Sequence, residues 1–171
     1  NADGVLSLRA RTPLRERLGR ATALLVGCGL GQGEDVRGVV ADLLAQADCP
    51  VVLDADGINA AAGHIDILKT VHVPLILTPH PGEMARLLGC SVAEVQNDRT
   101  QAARSFAQDN NVVLVLKGYK TVIAAPGRSL LVNLTGNPGM ATGGSGDVLT
   151  GMIGALLAQG TPPCEAAYGA A

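Results

Sequence analysis

By residue 118 the chain has four times run a short apolar stretch into a cluster of glycines or charged residues. Residues 22–26 end in Gly27, Gly29, Gly31 and Gly33, and Val51–Leu53 ends in Asp54 and Asp56. Residues 74–77 end in Thr78, Pro79 and His80, and residues 112–116 in Lys117 and Gly118. The first three lead into helical patterns over 35–46, 58–62 and 83–88, and Ser91 with Glu94 has the capping-box spacing that opens a further helix to about Asn110. Runs that are apolar throughout, without alternation, belong to strands buried on both faces, as in a parallel sheet covered by helices. Composition agrees: 47% of residues are hydrophobic and only 16% charged, in a length that suits one domain. The expected class is α/β with a mostly parallel central sheet.

After the fourth run the pattern changes. Residues 121–124 and 130–133, on either side of Pro126 and Gly127, read as a hairpin. A glycine-rich loop over 135–146 then precedes an apolar helix from about Asp147 to Ala158, and residues 165–171 read as a helix cut short, so the fold is expected to be incomplete at both ends. Polar residues thus gather behind strand ends, which is where open α/β sheets bind ligands. Glycines let the backbone turn its N–H groups toward a ligand, and the helix that follows adds its positive dipole end; together they suit a transferring phosphoryl group. Asp147 at the mouth of such an anion hole opposes the anion unless it has a task. Either it is a general base toward a hydroxyl or a holder of a metal ion on phosphates, or it is an ordinary carboxylate in a helical first turn.

Several function classes are disfavoured. The net charge is −2 and the sequence pI about 5.9, and the only basic concentration, Arg9, Arg11, Arg15, Arg17 and Arg20, reads as a solvated rim, so nucleic acid is not an expected partner. Cys28, Cys49, Cys90 and Cys164 form no C-x-x-C pair and read as small buried residues, and His64, His72 and His80 lack metal-ligand spacing. No apolar run approaches the roughly 20 residues of a membrane span and no signal-peptide pattern is seen, so the expected compartment is the cytoplasm and no membrane is an expected partner.

The remaining motifs leave alternatives open. Gly27, Gly29 and Gly31 place the third glycine one residue early for a dinucleotide fingerprint. Asp54 and Asp56 suit a metal, sugar hydroxyls or a helix cap. His80, between two prolines, is either a positioned hydrogen-bond donor or a surface turn residue, and Glu83 either supports magnesium through water or complements a helix N-terminus. Two of the chain's three lysines, Lys117 and Lys120, flank Tyr119 at a strand end, mildly favouring phosphate over a solvated turn.

Gly144-Ser145-Gly146-Asp147 resembles the anion-hole signature of ribokinase-like enzymes, whose aspartate is the catalytic base. The wider stretch from Gly139 through Gly151 resembles the ADP- or ATP-dependent NAD(P)H-hydrate dehydratases of that superfamily. Val26-Gly27-Cys28-Gly29-Leu30-Gly31, Leu53-Asp54-Ala55-Asp56-Gly57-Ile58-Asn59 and Leu77-Thr78-Pro79-His80-Pro81-Gly82-Glu83-Met84 agree in the same order, so the likeness runs from about Thr22 to Ala171. It implies a ribokinase-like three-layer αβα sandwich with residues 1–171 as part of a single domain. It implies Asp147 as base and substrate contact, Gly29, Gly31 and His80 on the hydrated nicotinamide nucleotide, and Lys117, Gly118, Tyr119, Lys120 and Thr121 on the adenine nucleotide. Asn137, Gly139, Met140, Ala141, Thr142, Gly143, Gly144, Ser145 and Gly146 complete that nucleotide site, with Mg²⁺ and ADP or ATP as cofactors. Implied partners are small molecules, further copies of the chain in a homo-oligomer such as a tetramer, and an epimerase, fused or separate. The rival expectations are a ribokinase-like kinase of a thiamine-precursor alcohol and a non-catalytic nucleotide-binding fragment.

Overall fold

A computed structural model describes residues 5–171. Its centre is a six-stranded sheet in sequential order: β1 Leu24–Val26, β2 Val51–Leu53, β3 Leu75–Leu77, β4 Val113–Leu116, β5 Val122–Ala124 and β6 Leu131–Val132. The first four strands are parallel and the last two antiparallel, in the predicted hairpin. Because each parallel step moves the same way across the sheet, right-handed crossovers stack the connecting helices on one face. These are α2 (Glu34–Gln46), α3 (Ala55–Ala61), α4 (Pro81–Leu88), α5 (Val92–Asn97) and α6 (Arg99–Asn110), preceded by α1 (Arg11–Leu18). The last helices, α7 (Ser145–Ala158) and α8 (Pro163–Ala170), cover the other face.

The two-residue pleat divides the strands between two cores. Val51, Leu53, Leu75, Leu77, Leu114, Leu116, Val122 and Ala124 join α2, α3, α4 and α6 in one. Val52, Ile76, Val113, Val115 and Ile123 meet Ile153 and Leu157 of α7 and Ala166 and Ala167 of α8 in the other. Both pleat faces are therefore apolar, and fully buried side chains such as Leu53, Ile76 and Leu114 each contribute about 1.5–3 kcal/mol. Gly154 lets α7 lie close on β1, since a Cβ there would fall 2.4 Å from Leu25 Cδ1.

The helix expected from Ser91 to Asn110 is two helices. Asp98, at φ −145° and ψ 80°, breaks α5 from α6 and accepts hydrogen bonds from the Gln101 amide (2.9 Å) and the Thr100 hydroxyl (2.7 Å). Those bonds hold its carboxyl below the usual range, and an N-cap of this kind restarts the chain as a new helix. Helix α7 begins at Ser145, slightly ahead of its expected start. No helix among the described residues is long and apolar enough to cross a membrane.

Candidate functional site

All four parallel strands end on one edge of the sheet, which brings the loops after β1, β2, β3 and β4 together with the N-terminus of α7. The loop before α7 turns through Gly136 and Gly144, at φ 91° and 89°. Asn137 Oδ1 accepts from the Gly139 amide at 2.9 Å, bracing a 3-10 turn over Pro138–Met140. The Thr142 carbonyl accepts from the Ser145 amide and hydroxyl. The first intrahelical bond of α7 runs from the Val148 amide to the Gly144 carbonyl at 3.1 Å. Among the described residues, no protein acceptor meets the amides of Gly143, Gly144, Gly146 and Asp147. Unpaired N–H groups at a helix N-terminus form an anion site. Asp147 stands exposed beside it.

Beneath this loop lies a buried polar cluster. Asp54, 1% exposed, precedes α3 but makes no side-chain cap. One carboxylate oxygen takes the Lys117 ammonium at 2.8 Å, and the other takes the Thr150 hydroxyl at 2.9 Å. The same ammonium lies 3.8 Å from Glu83, so Lys117 turns toward carboxylates under the loop. Gly146 packs directly above: a Cβ there would meet Lys117 Nζ at 3.3 Å and Asp54 Oδ2 at 3.6 Å.

Asp56 holds the first glycine loop, accepting from the Gly31 amide at 2.9 Å and from the Asn59 amide group at 3.4 Å. Asn59 accepts in turn from Arg86 of α4 at 2.8 Å, so the Gly29–Gly31 turn is tied to the helix that His80 begins. His80 caps that helix. Its Nδ1 accepts from the amides of Gly82 (2.9 Å) and Glu83 (3.3 Å), while Glu83 accepts from the His80 amide at 2.7 Å. With Nδ1 accepting, the neutral ring carries its proton on Nε2, on a side chain half exposed at the site edge.

The 117–121 segment contains two left-handed residues, Gly118 (φ 137°) and Lys120 (φ 56°). Arg99 fixes it from α6, donating to the carbonyls of Leu116 (2.9 Å), Lys117 (3.1 Å) and Tyr119, and its burial lowers the guanidinium pKa. Thr121 bonds back to the Gly118 carbonyl. Tyr119 is 86% exposed, with the Lys120 ammonium 5.5 Å from its ring centroid.

Sequence reasoning did not single out Arg99, Thr150 or Cys28. Cys28 corrects the expectation of a buried thiol. Strand β1 ends two residues before it, and its Sγ is exposed within 4.8 Å of carboxylate oxygens of both Asp54 and Asp147. Local burial, a hydrogen bond to Asp147 and the charges of Asp147 and Asp54 push its pKa up to about 11. At pH 7.5 only about 1 thiol in 10³ or fewer is then the reactive thiolate. Despite its exposure, Cys28 is expected to take iodoacetamide slowly at pH 7.5, with the rate climbing toward pH 11. Asp147→Asn removes one carboxylate and is expected to speed the labelling at fixed pH, as peptide mass spectrometry would show.

Helices on both faces of a largely parallel sheet, with a glycine loop feeding a helix N-terminus at the strand ends, form the fold of the ribokinase-like superfamily. Within it, the profile of the NAD(P)H-hydrate dehydratases matches residues 5–171, and the chain belongs to that family. It is 51% identical over 148 residues to the ADP-dependent (S)-NAD(P)H-hydrate dehydratase of Neisseria meningitidis, covering 85% of this chain and 50% of that protein. It is 49% identical over 164 residues to the bifunctional NAD(P)H-hydrate repair enzyme of Moorella thermoacetica, covering 96% of this chain and 31% of that one. The Bacillus subtilis ADP/ATP-dependent NAD(P)H-hydrate dehydratase, co-crystallised with ATP/Mg²⁺, superposes with a TM-score of 0.76 at 40% identity over 91% of this chain and 56% of its own. The chain thus spans half or less of these curated relatives.

Proposed function

We propose that this chain is part of an enzyme that dehydrates hydrated NADH or NADPH back to NAD(P)H at the expense of ADP or ATP. The observation that carries the reading is the row of unpaired amides at Gly143, Gly144 and Gly146 with Asp147 at its mouth. A hydroxyl on a reduced nicotinamide ring is a poor leaving group, and phosphorylation makes it a good one. Asp147 accepts the hydroxyl proton as the oxygen attacks the terminal phosphoryl group, and the loop amides stabilise the charge on its oxygens. The ring nitrogen's electron pair then expels phosphate to leave an iminium, and loss of a proton from the adjacent ring carbon restores the dihydronicotinamide. His80, half exposed with its Nε2 3.5 Å from a Glu83 carboxylate oxygen, and the Gly29–Gly31 turn hold the hydrate, and the 117–121 segment holds the adenine nucleotide through its backbone rather than through Lys117.

Mg²⁺ would be held by the nucleotide's phosphate oxygens and keep waters that the exposed Asp147 carboxylate can accept from, both Asp54 oxygens being taken by Lys117 and Thr150. A bound ion supplies neutralisation of phosphate charge. ADP is the proposed donor, on the strength of the Neisseria relative's name. The described residues belong, in this reading, to one domain of a homo-oligomeric cytoplasmic protein, with an epimerase for the hydrate on the same or a separate polypeptide; the Moorella relative's name, a bifunctional repair enzyme, fits a second activity on the same chain.

The test is recovery of 340 nm absorbance from hydrated NADH with Mg²⁺ and either ADP or ATP, using the full-length protein. Nucleotide-dependent recovery is the expected result. No recovery from folded protein, or a stable phosphorylated product from a hydroxymethylpyrimidine or hydroxyethylthiazole, would replace the reading with that of a vitamin-precursor kinase.

A further inference from the structure

The first turn of α7 carries both the amides and the base, yet nothing in that turn is buried. From Ser145 to Leu149 every residue is exposed or half-buried, and the first fully buried residue of the helix is Thr150, 1% exposed. The apolar anchors Ile153, Gly154 and Leu157 come only after it. On the outer side, Val148, Gly151, Met152 and Ala155 meet no part of the described core. Of the first turn only the half-buried Leu149 packs against the core, so the rotation and height of that turn depend on Leu149 and on how Thr150 beside it is held.

Thr150 is held by a hydrogen bond to a buried carboxylate 96 residues away. Residues 147 and 150 lie three apart, hence on neighbouring positions of one helix face. A hydroxyl fixed to Asp54 thus fixes the direction in which Asp147 projects. Asp54 is itself fixed from the other side by Lys117, whose amide donates to the Pro79 carbonyl at 2.8 Å and whose carbonyl takes Arg99. The chain of bonds joins the catalytic turn of α7 to the ends of β2 and β4 and to the loop proposed for the adenine nucleotide.

We propose that Thr150, Asp54 and Lys117 form a latch that positions Asp147 and the Gly146 amide, with the Thr150 hydroxyl as its release point. This rests on the dehydratase reading only for the consequence in catalysis. The latch itself is a statement about the helix. Lys117 acts in it as the counter-ion that keeps a buried carboxylate paired, which accounts for a lysine at the anion loop whose ammonium faces inward.

The experiment compares Thr150→Val, which keeps the shape and removes the hydroxyl, with Thr150→Ser, which keeps the hydroxyl, both in the full-length protein. Two readouts are taken: kcat and KM for nucleotide and hydrate, and hydrogen–deuterium exchange of a peptide spanning residues 144–150. The expected result for Thr150→Val is a kcat lower by about tenfold to a hundredfold, as small misplacements of reacting groups cause, with both KM values within about threefold of wild type. Exchange at the Val148 amide rises about tenfold while the strands are unchanged, and Thr150→Ser restores both readouts to within about threefold. Unchanged exchange in Thr150→Val overturns the latch, and so does a serine variant as impaired as the valine. A wild-type protein without nucleotide-dependent recovery overturns the dehydratase reading instead, and the exchange comparison still decides the latch.

Discussion

Asp147→Asn is expected to lower the turnover of hydrated NADH by about 10²–10⁴-fold, the contribution of a positioned general base, while leaving the fold intact. Asparagine keeps the shape and the hydrogen-bonding oxygen of aspartate but takes no proton. The side chain is exposed in the first turn of α7, where no packing depends on it, so thermal unfolding should move little. Nucleotide binding separates a base from a mere structural residue. A carboxylate beside unpaired amides repels the phosphates those amides attract, so its removal is expected to leave the Kd for ADP equal or lower while kcat collapses. Calorimetric titration of the variant with Mg²⁺·ADP measures this directly. Turnover within threefold of wild type would remove Asp147 from the chemistry, and weakened ADP binding with modest loss of turnover would make it a phosphate-side metal holder instead.

That aspartate was legible because its neighbours are unusual in a way that is local. Twelve residues, 135–146, with five glycines ahead of an apolar helix do not arise from helix propensity, and the structure seats them at the sheet edge where the strand runs had pointed. The strands were legible for a related reason. Val51, Val52 and Leu53 are all fully buried because α3 covers one pleat face and α7 the other, so the run carries no polar residue to obscure it. What escaped were pairings between residues remote in the chain. The bonds from Asp54 to Lys117 and to Thr150 span 63 and 96 residues, and no periodicity reports them. Arg99 looked like any arginine inside the expected 91–110 helix until three carbonyls at the end of β4 and in the loop after it closed on it. The break at Asp98 was a contest between two local signals, a continuing helical pattern and an N-cap. The cap prevailed because its carboxylate satisfies two donors at once.

Gly27→Ala is expected to destabilise the protein by about 3 kcal/mol or more, enough to lower its Tm by roughly 10 °C in a chain of this size. The reason is contact, not glycine's general freedom. A Cβ at residue 27 would fall 1.7 Å from the Asp54 carbonyl oxygen and 3.1 Å from the Gly57 amide, with φ at +145° excluding relief by ordinary backbone adjustment. The approach is reciprocal. Gly57 has no room for a Cβ because the Val26 carbonyl lies 2.6 Å from where it would sit, and the Asp54 amide donates to that carbonyl at 3.0 Å. The end of β1 and the start of α3 are thus interlocked through two glycines, and neither can move without displacing Asp54, which holds Thr150 and Lys117. Gly29→Ala is the control. Its φ of +69° costs about 1–2 kcal/mol in the left-handed region, but no heavy atom beyond its chain neighbours lies within 4 Å of the added carbon. Thermal unfolding of the two variants side by side should therefore separate steric contact from backbone strain, with Gly27→Ala lower by several degrees. Equal Tm values would mean that the strand end and the helix are less tightly joined than these distances require.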